Sequence, residues 1–302
     1  MSIRFDGKVA IVTGAGAGLG RQHALALAAR GARVVINDFG GNRDGTGGSS
    51  AAALAVVEEI TAAGGVAIAN GANVADFAQV QDMVAQTMTA FGRIDILVNN
   101  AGILRDKTFT KMDVADFKAV VDVHLMGSMH CTKAVWDIMR EQKYGRIVMT
   151  SSASGLYGNF GQANYAAAKM ALVGLMNVLH LEGIKNNIKV NTIAPIAATR
   201  MTEELLPPDV LSAIRPERVT PGVLFLCSEG APSKVILSAG GGSFAAATVV
   251  EAEPCHFSGE ALTAENIAGR FANIADFSTA RGYGESNQEV QCFVESAVKA
   301  AH

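Results

Sequence analysis

Tyr165 and Lys169 sit four residues apart in Tyr165-Ala166-Ala167-Ala168-Lys169, so a helix puts the phenol and the ammonium on one face. A phenol of ordinary pKa, about 10, is a poor base at neutral pH, and a fixed positive charge beside it favours the phenolate. Tyr165 could then take the proton of a substrate alcohol as hydride leaves, and return it in the reverse direction. Alone the pair carries little weight, because the spacing arises often by chance. It gains weight from Ser151-Ser152-Ala153-Ser154-Gly155, which follows an apolar run near 145–150. That places the serines at the carboxyl end of a strand, where open α/β sheets bind ligands. A hydroxyl there can hydrogen-bond the substrate oxygen, although turn chemistry is the plainer account of Ser151 and Ser154.

A hydride needs an acceptor, and the start of the chain has the residues for one. Thr13-Gly14-Ala15-Gly16-Ala17-Gly18-Leu19-Gly20 lies between an apolar run and an Ala/Leu-rich helical pattern closed by Gly31. Glycines in such a turn let the backbone approach a pyrophosphate, while the amides and positive end of the helix face the anion. The spacing of Gly14, Gly18 and Gly20 is G-x-x-x-G-x-G. Asp38 closes the second apolar run, Arg33-Val34-Val35-Ile36-Asn37, where a carboxylate can accept from both hydroxyls of an adenosine ribose. A 2′-phosphate at that place would meet a like charge, and neither Ala15 nor Phe39 offers a counter-charge. NAD is therefore expected over NADP, with Arg43 the one nearby cation able to fold back. The bland account of Asp38 is a solvated loop residue.

Strand, helix and strand within about 30 residues make a βαβ unit. The alternation continues through strands near 65–69, 94–99, 145–150, 188–193 and 234–238, with helices near 50–63, 76–91, 113–141, 162–184 and 217–228. About seven strands predict an α/β fold, a Rossmann-type doubly wound parallel sheet with helices on both faces. The Gly-rich stretches 40–48 and 239–242 read as loops. Beyond them, 243–302 offers a strand or hairpin (244–252) and two helical patterns (263–271 and 286–301), too little for a core of its own. We expect one domain over 1–302, with a core of 1–242 and an extension packed on that core or on a partner subunit.

The composition is consistent with this. In 302 residues, 49% are hydrophobic, 18% are charged and the net charge is −3, which excludes a disordered chain. No run of Lys or Arg suggests a nucleic acid or an anionic membrane as partner. The four cysteines and six histidines show no metal-ligand spacing, so no metal is expected. Without an apolar leader or an apolar run long enough for a span, the expected location is cytoplasmic. Ala300-Ala301-His302 is no peroxisomal address.

Taken together, these motifs resemble the short-chain dehydrogenase/reductase family over nearly the whole chain. The family's Thr-Gly-x-x-x-Gly-x-Gly turn is Thr13 to Gly20, its Asn-Asn-Ala-Gly is Asn99-Asn100-Ala101-Gly102, and its Tyr-x-x-x-Lys is Tyr165 and Lys169. The resemblance selects Ser152, 13 residues before the tyrosine, as the catalytic serine. It assigns Gly14, Gly18, Leu19, Gly20, Asp38, Asn73, Val74, Asn99, Ala101, Gly102, Tyr165, Lys169 and Pro195 to the cofactor. Asn73-Val74 matches the adenine segment, and Thr192-Ile193-Ala194-Pro195 the segment along the nicotinamide.

Two positions depart from the family pattern. His124 stands where a relay asparagine is usual, and Ile196 where a glycine usually follows the proline. His124 reads either as a packed helix histidine or as a group positioning Lys169 or a relay water. These departures, the long loop after Asp38 and Arg200-Met201-Thr202 are similar to the (3R)-hydroxyacyl-CoA dehydrogenases of the family. The implied reaction is NAD-dependent oxidation of a (3R)-3-hydroxyacyl-CoA to the 3-oxoacyl-CoA, by a dehydrogenase standing alone. The alternatives are oxidation of a 17β-hydroxysteroid and an NADPH-dependent 3-oxoacyl reductase. Met201, Leu205 and Leu206 fall in the family's substrate lid, where their apolar side chains suit an acyl chain or steroid; a buried helix face would look the same. The resemblance further implies a homodimer or tetramer.

Overall fold

The computed structural model describes residues 2–42, 44–197 and 207–300. It divides into two compact units, Met1–Ala246 and Ala247–His302. In the first unit β1 (Val9–Thr13) is buried at every residue and leads into α1 (Gly18–Ala28), after which β2 (Arg33–Asn37) returns beside β1. Next come α2 (Ala51–Ala62), β3 (Val66–Asn70) and α3 (Phe77–Phe91). The limits of α3 follow from its sequence: Asp76 accepts from the amides of Ala78 and Gln79 at its start, and Gly92, at φ +73°, ends it. After β4 (Ile96–Asn99), α4 (Val114–Val121) runs through a π-helical turn, Asp122–Met126, into α5 (Gly127–Gln142). The single helix expected over 113–141 thus carries an inserted wide turn. It is centred on His124, the position of the departure noted above.

The remainder of this unit is β5 (Gly145–Thr150), the short α6 (Ala153–Tyr157), α7 (Ala163–Gly183), β6 (Ile188–Ile196), α8 (Pro208–Ala213), α9 (Thr220–Cys227), β7 (Ile236–Gly240) and β8 (Ser243–Ala247). The strands lie in the order β3-β2-β1-β4-β5-β6-β7-β8, and the pairings from β3 through β7 are parallel. Strand order reverses between β1 and β4, which opens a crevice at their carboxyl ends. The eighth strand falls where a strand or hairpin was expected over 244–252, and it joins the seven at the edge of the same sheet. It follows β7 across the two-residue turn Gly241-Gly242, both at positive φ, which is tight-hairpin geometry.

One sheet face buries Val12, Val34, Ile36, Val98, Val148 and Ile193 with Leu27 of α1, Ile60 of α2 and Val223 of α9. α3, α5 and α7 supply the other layer, with α7 packed on β6 and α5 on β4 and β5. The segment Ala163–Asn186 is long and apolar enough to cross a membrane by composition. In this fold its Lys169, Leu172, Val173 and Met176 are buried. The second unit contains α10 (Ala264–Gly269), α11 (Phe271–Ile274) and α12 (Ser286–Ala300), with a bridge between Glu251 and Arg281.

Candidate active site

The glycine turn is tied to the end of β4. Thr13 Oγ1 accepts from the amides of Asn100 and Ala101 at 3.0 and 3.1 Å, and Asn100 Nδ2 donates to the carbonyls of Thr13 and Gly14. The three glycines divide two jobs between them. A Cβ on Gly14 would lie 2.8 Å from Ala101 Cα, and one on Gly20 would lie 2.2 Å from the Gly14 carbonyl, so both serve close packing. Gly18, at φ +54° with open space beside it, begins α1. The first amides of that helix have no intrahelical acceptor and provide an anion cradle.

Asp38 is held by two backbone amides, Gly16 N–H on Oδ2 and Gly40 N–H on Oδ1, each at 2.7 Å. Gly16 is required here, because a Cβ would lie 2.8 Å from that carboxylate. Asp38 is thus a fixed acceptor at the carboxyl end of β2, with lone pairs left over, rather than a solvated loop residue. Asn73 and Val74 continue this side, and Asn73 Oδ1 is turned to the Ala75 amide at 3.0 Å.

At the other end, Ser152 caps α6, its Oγ accepting from the Ser154 amide at 3.1 Å. Ser151 is fully buried and donates to the carbonyl of Lys169, a purely structural bond. Lys169 is itself 3% exposed, and its Nζ donates to the Thr150 carbonyl at 2.5 Å and stands 5.4 Å from the centre of the Tyr165 ring. Burial lowers the Lys169 ammonium to about 7. Burial raises the Tyr165 phenol above its ordinary value, opposed by the Ser152 hydroxyl and reinforced by the charge of Asp106. Burial thus moves the two groups apart in proton affinity, easing the proton off Lys169 and holding it on Tyr165.

His124 projects from the π-turn edge-on to Tyr165, with ring centres 5.1 Å apart at 87°. Its Nε2 lies 3.1 Å from the Ile103 amide nitrogen and 2.8 Å from the Ile103 carbonyl oxygen, while Nδ1 is buried without a partner. Burial, and then the charge of Lys169, keep the imidazole well below its usual pKa and hence neutral. Gly102 makes room for it, since a Cβ there would lie 2.3 Å from His124 Cε1.

These groups surround one cavity of ≈ 620 Å³. Gly14, Gly18, Leu19, Asp38, Asn73 and Val74 line one side of it, with Ala101, Gly102 and Pro195. His124, Ser152, Tyr165 and Lys169 line it as well. Gly20 and Asn99 do not line it: Asn99 turns to α5, donating to Thr132 Oγ1 at 3.1 Å, and its neighbour Asn100 faces the cavity instead. Met201, Leu205 and Leu206, like Arg43 and Arg200, lie outside the described residues. Residues missed in the sequence are Asn100, Arg105 and Asn164. Asn164 had a usable signal, an amide in the first turn of an otherwise apolar helix. It is fully buried, with Nδ2 on the Arg105 carbonyl and Oδ1 on the Tyr165 amide.

A dinucleotide fits these residues. The amide cradle would hold its phosphates, Asp38 its adenosine ribose, and the buried, unpartnered Thr150 Oγ1 on the cavity wall offers the far end a polar contact. Fold and site thus have the parts of a dehydrogenase that works on a small molecule with a nicotinamide cofactor.

The sequence pattern of the short chain dehydrogenase family matches residues 8–209, and the chain belongs to that family. It is 55% identical over 227 residues to the peroxisomal multifunctional enzyme type 2 of Mus musculus, covering 75% of this chain and 30% of that one. A short-chain type dehydrogenase/reductase of Mycobacterium tuberculosis is 48% identical over 275 residues, 91% of this chain and 96% of its own length. The structure of full-length peroxisomal multifunctional enzyme type 2 from Drosophila melanogaster superposes with a TM-score of 0.82 at 37% identity, over 98% of this chain and 50% of that one. The chain spans about a third of the length of its multifunctional relatives.

Proposed function

We propose that the chain oxidises a (3R)-3-hydroxyacyl-CoA to the 3-oxoacyl-CoA with NAD. The observation that carries the substrate class is the 55% identity to a peroxisomal multifunctional enzyme type 2, joined to a site whose departing residue, His124, is built into the fold by the π-turn and Gly102. The cofactor reading rests on Asp38. Two amides hold its carboxylate in place, so a 2′-phosphate at about 4 Å would meet a repulsion on the order of 4 kcal/mol at an effective dielectric of about 20.

In this reading the cofactor, when bound, supplies the acceptor for the hydride leaving C3. Ser152 Oγ–H donates to the substrate oxygen and orients the carbinol. Tyr165, as phenolate, takes the hydroxyl proton as the C–H bond breaks, and in the reverse direction returns it. Lys169, held against the Thr150 carbonyl, supplies positive charge beside Tyr165 when protonated. Asn164 fixes the first turn of α7, and with it the tyrosine, to the segment after β4. His124 is a positioning group, neutral and packed against the Tyr165 ring.

For the remainder, we read 243–302 as an extension of one dehydrogenase chain that works as a cytoplasmic homodimer or tetramer. In support, α12 exposes Val290, Val294 and Val298 at helical spacing. Sedimentation of a monomer at micromolar concentration would contradict the assembly.

The test is a panel of (3R)- and (3S)-3-hydroxyacyl-CoA and a 17β-hydroxysteroid, each with NAD and with NADP. Turnover of the 3R ester with NAD is expected. Turnover of the steroid alone would transfer the site to steroid alcohols, and a preference for NADPH in reduction would make it a 3-oxoacyl reductase.

A further inference from the structure

The segment leaving β4 is fastened twice to the reacting end of the cavity, by His124 on the Ile103 backbone and by Asn164 on the Arg105 carbonyl at 3.0 Å. The Arg105 side chain reaches the other way. Its Nε donates to the carbonyl oxygen of Asp44 at 2.9 Å, and its Nη1 donates to Asp116 Oδ1 at 3.1 Å. Asp44 belongs to the glycine-rich stretch after β2, whose Phe39, Gly41, Asn42 and Gly45 line the same cavity as Arg105. That stretch also packs closely on the post-β4 segment, since a Cβ on Gly45 would lie 3.2 Å from Ile103 Cδ1. Arg105 therefore bridges the adenosine wall and the wall that carries Tyr165.

We propose that Arg105 is a positioning residue for the cofactor: its guanidinium holds the Asp44 backbone against the post-β4 segment and so sets how tightly the adenosine end is bound. It takes no part in hydride transfer. This rests on the dinucleotide reading of the cavity. The geometry suits arginine, whose planar head offers divergent donors, one for the carbonyl and one for the carboxylate. Asp116 is steadied in turn by Lys107 Nζ, 2.8 Å from Oδ2. A lysine at 105 has a single nitrogen and serves one partner well. Backbone and side chain here do separate work: the Arg105 carbonyl keeps Asn164 whatever side chain is present, while truncation releases Asp44.

NADH is titrated by calorimetry into the full chain and its Arg105→Ala, Arg105→Gln and Arg105→Lys variants, each checked for an unchanged melting temperature. Loss of a charge-assisted hydrogen bond is expected to raise Kd about tenfold in Ala and Gln, with Lys intermediate. In steady state with the 3R ester, KM for the cofactor rises in step and kcat stays within about twofold. A Kd equal to wild type in both Ala and Gln overturns the proposal. So does a fall in kcat at unchanged Kd, which would place the side chain with the catalytic helix. The binding arm needs no substrate, so failure of the hydroxyacyl-CoA assignment leaves it readable. If the wild-type chain binds NADPH instead, the cofactor assignment falls and the same variant-to-wild-type ratio is read with NADPH.

Discussion

At the scale of single residues the account turns on proton affinity and fixed charge. Tyr165→Phe removes the proton acceptor and leaves the ring that packs against His124, so NADH binding stays near wild type while kcat falls roughly a thousandfold or more; calorimetry and initial rates check both halves. Because oxidation needs Tyr165 deprotonated and reduction needs it protonated, and because burial raises the phenol, kcat/KM for oxidation rises from neutral into alkaline pH, while reduction stays level over that rise and falls only once the phenol itself titrates. Asp38→Ser removes the charge that repels a 2′-phosphate. Part of an interaction on the order of 4 kcal/mol is then returned, and the ratio of kcat/KM for NADP over NAD rises about a hundredfold. Tyr165, Lys169, Ser152 and Asp38 were legible in the sequence because motif spacing fixes their place on a strand end or helix face. Asn99 and Asn100 show where spacing fails. Adjacent residues at a strand end turn to opposite sides, and the one facing the cavity is Asn100, which a motif treats as equivalent to its neighbour.

Elements determine whether those residues meet. The π-turn was not legible, because the apolar period of 113–141 continues across it; only the fold reveals that Asp122–Met126 is wound wide, with His124 buried beside Tyr165. Gly102→Ala tests this arrangement. Its Cβ would lie 2.3 Å from the imidazole, forcing His124 or the Ile103 segment to move, and a displacement near 1 Å is expected to lower kcat roughly ten- to a hundredfold with the fold retained. A second element-scale link joins α1 to α9 through His23 Nδ1 and Thr220 Oγ1, 2.9 Å apart. Burial lowers His23 to about 3. The unfolded chain therefore takes up this proton as pH falls through about 6.5, while the folded chain does not until about 3. Stability from this group is intact above 6.5 and declines steadily below it. In His23→Gln, the denaturation midpoint should depend less on pH between 6.5 and 4 than in wild type; equal slopes would show that His23 is not the group responsible.

Over the whole molecule, the alternation of strands and helices was readable because parallel strands buried on both faces are short apolar runs between amphipathic helices. The eighth strand was only partly readable: Ser243–Ala247 is largely exposed and lacks the alternation of a half-buried strand, and its place comes from the glycine hairpin. Arg105 was invisible for a different reason. Its partners are the carbonyl of Asp44 and the side chain of Asp116, brought together by three separate segments, and no sequence pattern encodes a backbone acceptor 61 residues away. The sheet thus presents the turn, Asp38 and the serine at one edge, and the segments after β2 and β4 close them into a cavity. The most direct test of the central claim is a single turnover of the wild-type chain with NAD and (3R)-3-hydroxyacyl-CoA, following reduced cofactor and 3-oxoacyl-CoA together. One equivalent of each per site, absent in Tyr165→Phe and with the 3S ester, is the predicted result. Equal turnover of the 3S ester, or undiminished turnover in Tyr165→Phe, would contradict it.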